Sequence, residues 1–118
     1  MEPEPGNPHE VEGVLNPGVV RSRDGALYLF PRMVAKGNYS RIGIARVRFN
    51  AAGDPVGVDR LGIALDPEAD YERRPDGSGG CKDPRVTFVE PLQRYLSEIT
   101  NRMVPSNRSI YSLCAKSR

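Results

Sequence analysis

One carboxylate in this chain sits where directed chemistry could be done. It is Asp83, in the run Gly79-Gly80-Cys81-Lys82-Asp83-Pro84-Arg85-Val86. The run places it between a glycine-rich turn and the start of an apolar strand. Pro84 fixes its own φ and restricts the residue before it, which predicts an extended backbone at Asp83. A carboxyl group held at a strand entrance can give a proton to a leaving oxygen or accept hydrogen bonds from sugar hydroxyls. Asp-Pro is also an ordinary turn starter, so the run alone leaves both readings open.

Five other blocks accompany it. They are Asn16-Pro17-Gly18-Val19-Val20, Tyr28-Leu29-Phe30-Pro31-Arg32, Asn38-Tyr39-Ser40-Arg41-Ile42-Gly43-Ile44-Ala45-Arg46, Leu61-Gly62-Ile63-Ala64-Leu65 and Glu68-Ala69-Asp70-Tyr71-Glu72. In this order and spacing the set resembles the opening of glycoside hydrolase family 130, the β-mannoside phosphorylases and hydrolases, over roughly residues 12–95. The resemblance implies an all-β chain forming the first one or two blades of a five-bladed β-propeller. It implies an enzyme that cleaves β-mannosides with inversion, by phosphorolysis to α-mannose 1-phosphate. Hydrolysis, or a non-catalytic sugar-binding remnant, is the alternative. Inverting phosphorolysis needs one protein acid, because inorganic phosphate attacks the opposite sugar face as co-substrate.

By the same resemblance Asp83 stands at the position of that acid, with its proton passing through a mannose hydroxyl. Asn16 and Arg32 stand where the family holds the sugar at the cleaved bond. An amide and a guanidinium fork both suit vicinal hydroxyls. As plain structure, Asn16 would be a turn residue before Pro17 and Arg32 a solvated strand end. Arg85 reads as a pocket-wall residue, since pairing with Asp83 would favour the ionised acid. Lys82 departs from the family, which has an acidic residue there. On a strand it would point away from Asp83. The family's phosphate-binding residues lie beyond the matched region, which predicts weak or no turnover for a chain of this extent.

Composition sets the frame. The chain has 118 residues, 38% of them apolar, with 12 glycines, 11 prolines and no tryptophan, so turns and short strands are expected over long helices. The net charge of +2 singles out no partner, although positive charge gathers after Pro91. No basic, apolar leader opens the chain and no apolar run could span a bilayer, which predicts a cytoplasmic protein away from membranes. Cys81 and Cys114 are too few for a disulfide framework, and no cluster has metal-ligand spacing. No cofactor is expected. Arg41, Arg46 and Arg48 with the basic tail offer a nucleic-acid reading, but only Tyr39 and Phe49 lie nearby to stack on bases. No nucleic-acid partner is therefore expected. A homo-oligomer is expected only of the full-length parent.

The elements follow from local pattern. Residues 1–11 carry two Glu-Pro pairs and read as disordered, with His9, the only histidine, outside any site. Strands are expected at Val19–Arg21 and Ala26–Pro31 around the Asp24-Gly25 turn. A long strand over Tyr39–Phe49 should bend near Ala45, where its alternation breaks. Val56–Val58, Leu61–Leu65 and Arg85–Val89 complete the set, with a loop over Asp66–Ser78. No internal repeat is evident. From Pro91, Leu92, Tyr95, Leu96, Ile99 and Met103 fall on one helical face and predict a helix. Residues 96–118 thus read as a divergent tail foreign to a propeller, beyond a partial propeller domain over 12–95.

Overall fold

The structure is a computed structural model. It describes residues 1–22, 24–67, 74–89, 94–100 and 108–113, with 88–89, 94–100 and 108–113 as backbone alone. Among these residues the chain is all-β, without a helix. The strands are β1 (Gly13–Arg21), β2 (Leu27–Ala35), β3 (Tyr39–Phe49), β4 (Pro55–Leu65), β5 (Gly79–Gly80), β6 (Lys82–Val89), β7 (Arg94–Thr100) and β8 (Arg108–Leu113). The first four form an antiparallel meander in chain order, and β5 adds in parallel to β3. β6, β7 and β8 form a second antiparallel meander.

Turn chemistry explains the first meander. Asp24 accepts hydrogen bonds from the Ala26 amide and the Ser22 hydroxyl, and Gly25 takes φ 85°, closing β1 onto β2. Between β2 and β3, Gly37 and Asn38 take φ 79° and 61°, a conformation that glycine and asparagine tolerate best. The Glu12 carboxylate braces that turn by accepting from both amides at 2.9 and 3.0 Å. Asn50 organises the next loop by accepting from the amides of Ala52 and Asp54.

β3 covers the expected residues, and the pairing does slip between Ile44 and Ala45. The extra residue there is Leu61, on β4. Three such slips let Pro55–Leu65 run as one strand where two short ones were expected. Phe30, Ile42 and Cys81 form the buried core, with Val20, Tyr28, Ile44, Ala64, Leu65 and Val86 against it. Val86 comes from β6, so the core joins the two sheets. Ile42 has no exposed surface, and burying such a side chain contributes about 1.5–3 kcal/mol.

Two expectations about the ends of the chain fail. The residues read as a helical tail form strands where the structure describes them: Arg94–Thr100 pairs with β6 and with Arg108–Leu113. Residues 91–93 and 101–107 lie outside the described residues. The helical spacing is real, but pairing overrides it. A free β6 edge supplies ladder partners that a short isolated helix lacks. β7 also runs unbroken through the boundary drawn at 95/96.

The N-terminal segment, read as disordered, is tied down. Glu10 is fully buried and accepts from the Glu4 amide at 2.7 Å and from Arg60 at 3.1 and 3.2 Å. Arg60 also donates to the Glu2 carbonyl at 2.7 Å. An ion pair whose acid is fully buried ties down the proline-rich segment. No helix among the described residues is long and apolar enough to cross a membrane.

Candidate functional site

β1 and β6 carry the same local device. In β1, Asn16 and Pro17 face a single residue of β2, because Leu15 pairs with Arg32 and Gly18 with Phe30. In β6, Asp83 and Pro84 face a single residue of β7, because Lys82 pairs with Thr100 and Arg85 with Glu98. Each is a β-bulge whose first residue is left-handed: φ is 40° at Asn16 and 49° at Asp83. The extended backbone expected at Asp83 is thus corrected. Proline disfavours the right-handed helical region for its predecessor, and an Asx residue meets the restriction here at positive φ. Proline fits both places because a bulge breaks the ladder and leaves no amide bond to lose.

The two bulges lie side by side and enclose one cleft of about 580 Å³, lined by Asn16, Pro17, Gly18, Val19, Asp83, Pro84, Arg85 and Val86. It is open to solvent and polar. Asp83 is half-buried, while Asn16 and Arg85 are exposed. Among the described residues no hydrogen bond or ion pair occupies the side chains of Asn16, Asp83 or Arg85. Arg85 makes no ion pair with Asp83, so the pairing that would disfavour a proton donor is absent from this arrangement.

Arg32 is placed differently. It neighbours the first bulge through its pairing with Leu15, but it does not line the cleft. Its Nε donates to Ser40 Oγ at 2.9 Å and its Nη2 to Asn38 Oδ1 at 2.9 Å. Lys82 is 7% exposed and also stands apart from the lining. Three of the four residues expected at the site therefore meet, and the fourth is held one strand away.

A second set of contacts fixes where Asp83 stands. Gly79–Gly80 pairs with Tyr39–Ser40, and the Cys81 amide donates to the Ser40 carbonyl at 2.9 Å. A Cβ at Gly80 would lie 2.1 Å from that carbonyl oxygen, and Gly80 takes φ 89°. Only glycine permits this approach. Ser40, fully buried, thus touches both the strand leading to Asp83 and the Arg32 head group.

Sequence reading missed Pro17, Gly18, Val19, Pro84 and Val86 as cleft residues. The signal was present: Asn16-Pro17-Gly18-Val19 and Asp83-Pro84-Arg85-Val86 are one Asx-Pro-X-Val pattern written twice. That pattern is a short internal repeat, too brief to stand out without the paired bulges.

The arginines of the nucleic-acid reading are largely engaged. Arg41 pairs with Asp66 at 2.7 Å and lies 4.8 Å over the Tyr39 ring, and Arg48 pairs with Asp59 at 3.0 Å. Among the described residues no group of three or more His, Cys, Asp or Glu side chains could hold a metal ion. Cys81 is buried and forms no disulfide among the described residues. No family model, curated protein or solved structure matches the chain.

Proposed function

We propose that the cleft between the two bulges is a carbohydrate site, and that it serves the inverting cleavage of β-mannosides by phosphorolysis. The observation that carries this reading is the convergence of Asn16 and Asp83, 67 residues apart in sequence, on one polar cleft, with their polar groups unengaged among the described residues. Asp83 is the acid. It protonates the leaving oxygen, directly or through a mannose hydroxyl, while phosphate attacks the anomeric carbon from the opposite face. Asn16 holds sugar hydroxyls by donating and accepting, and Arg85 forms the wall.

The repeated architecture supports the propeller part of the proposal. Each sheet opens on a strand with the same bulge and continues as an antiparallel meander. That is what two successive blades facing a common axis would present, with the first strand of each innermost.

The test is product identity. Short β-mannosides incubated with phosphate should yield α-mannose 1-phosphate, read by ³¹P and ¹H NMR. Free mannose formed without phosphate would instead identify a hydrolase. A second reading, sugar binding without turnover, is favoured by the Arg32 head group being held by Ser40 and Asn38. It predicts saturable mannoside binding and neither product. The absence of both binding and turnover would end the carbohydrate assignment.

A further inference from the structure

We propose that Gly18 is a positioning residue for the Asp83 carboxyl, its missing side chain setting the separation of the two bulges. This rests on the carbohydrate reading for its functional consequence, but its geometric content stands by itself.

Gly18 is buried at the point where β1 meets β6. A Cβ built there would lie 3.1 Å from the Pro84 carbonyl oxygen, 3.5 Å from the Pro84 carbonyl carbon and 3.5 Å from Val86 Cγ2. The tightest of these contacts is with backbone, so no side chain can swing aside to relieve it. Pro84 is itself buried and directly follows Asp83. Any methyl at position 18 must therefore push the second bulge by a few tenths of an ångström. Asp83, at positive φ one residue away, moves with it.

Gly18 differs from the glycines that are needed for their dihedral angles. Its φ is outside the left-handed region, so alanine fits its backbone without strain. What an added methyl changes is spacing alone. The repeated pattern sharpens the point, because the position equivalent to Gly18 in the second bulge is Arg85, whose side chain projects at the cleft. A side chain is admitted on one wall and excluded on the other, which keeps the cleft from closing.

The test compares wild type with Gly18→Ala and Gly18→Ser by amide NMR, thermal melting and steady-state kinetics on a short β-mannoside with phosphate. The expected result is a displaced amide resonance at Asp83 and at Arg85 in both variants, with melting still cooperative. kcat is expected to fall about tenfold with KM changed less than threefold, since sub-ångström misplacement of a reacting group is felt in the chemical step. Unmoved amides at Asp83 and Arg85 would overturn the proposal, as would displaced amides with an unchanged kcat. Displaced amides in the variants, together with a wild-type chain that neither binds nor cleaves mannosides, would confirm the spacing role and remove the carbohydrate reading instead. If Gly18→Ala does not fold by itself, it is read in a Val86→Ala background, where the added methyl loses its 3.5 Å side-chain neighbour and keeps the 3.1 Å Pro84 carbonyl. Displaced amides at Asp83 and Arg85 relative to Val86→Ala alone are expected, and their constancy would overturn the proposal.

Discussion

Asn16 and Asp83 occupy equivalent places in two adjacent strands: each precedes a proline, each takes a positive φ, and each opens a bulge onto the same cleft. The backbone thus aims an amide and a carboxylate at one volume by the same means. The conformation and the chemistry make separate demands on these residues. The bulge asks for a residue that tolerates left-handed φ, and the cleft asks for a polar tip. Asparagine and aspartate meet both.

Those two demands can be separated at Asn16. Asn16→Gly keeps the left-handed backbone and should leave stability within about 0.5 kcal/mol, whereas Asn16→Val should cost about 1–2 kcal/mol because a β-branched residue resists that region. Urea denaturation of the two variants measures the difference. Both should weaken mannoside binding alike, since both lack the amide.

Gly80 and Gly53 provide a paired test of close approach. Both take positive φ, 89° and 86°, but a Cβ at Gly80 meets the Ser40 carbonyl while one at Gly53 meets open space. Gly53→Ala should cost about 1–2 kcal/mol, the strain alone. Gly80→Ala should cost more than about 4 kcal/mol or prevent folding, because strain is joined by a backbone clash. Thermal and urea melts of the two proteins compare them directly.

The N-terminal strap rests on Glu10 and Arg60. Arg60→Met leaves the buried carboxylate without its ion-pair partner and should destabilise by about 2 kcal/mol, below the range for a wholly buried pair because the Arg60 side chain keeps 29% exposure. Glu10 raises the Arg60 pKa further above its already high ordinary value. That contribution is complete below the unfolded value and is lost only as pH climbs through the folded one, so between pH 5 and 9 the strap should show no titration of Arg60. Hydrogen exchange across residues 4–13, with and without the substitution, reads the strap itself.

The β1–β2 turn has an acid limb. The Ser22 hydroxyl first, and then the Ala26 amide, hold the Asp24 carboxyl below its ordinary value of 3.8. Its contribution is present above 3.8 and fades as pH falls below that value through the folded pKa. A ¹³C carboxyl titration should place its midpoint below 3.8, and Ser22→Ala should bring it back towards that value.

Much of this was legible in the residues. β3 was readable end to end because Gly37-Asn38 and Asn50-Ala51-Ala52-Gly53 punctuate an otherwise continuous β-forming run. The break in its alternation marked the slip near Ala45, although the slack falls on Leu61 in the partner strand. Asp83 stood out because Pro84 isolates it. Its left-handed backbone was hidden, since a one-residue bulge depends on pairing with Ile99 that local sequence does not reveal. Leu92 to Met103 carries a helical period, yet over Arg94–Thr100 the edge of β6 supplies strand partners that local sequence does not reveal. Glu10 was unreadable as a buried acid because its partner, Arg60, lies fifty residues on. The Arg32 side chain was assigned to the sugar by resemblance, while Ser40 and Asn38, on the neighbouring strand and turn, hold it.

The proposed chemistry turns on the Asp83 carboxyl acting as the acid in the cleft. Asp83→Asn preserves the left-handed backbone and the shape of the side chain while removing the proton donor. The decisive measurement is phosphate-dependent release of α-mannose 1-phosphate from a short β-mannoside, wild type against Asp83→Asn, with mannoside affinity measured alongside. Weak turnover is expected in the wild type, with a loss of about 10²–10⁴-fold in the variant and affinity changed less than tenfold. Equal turnover in the two proteins would contradict that role for Asp83.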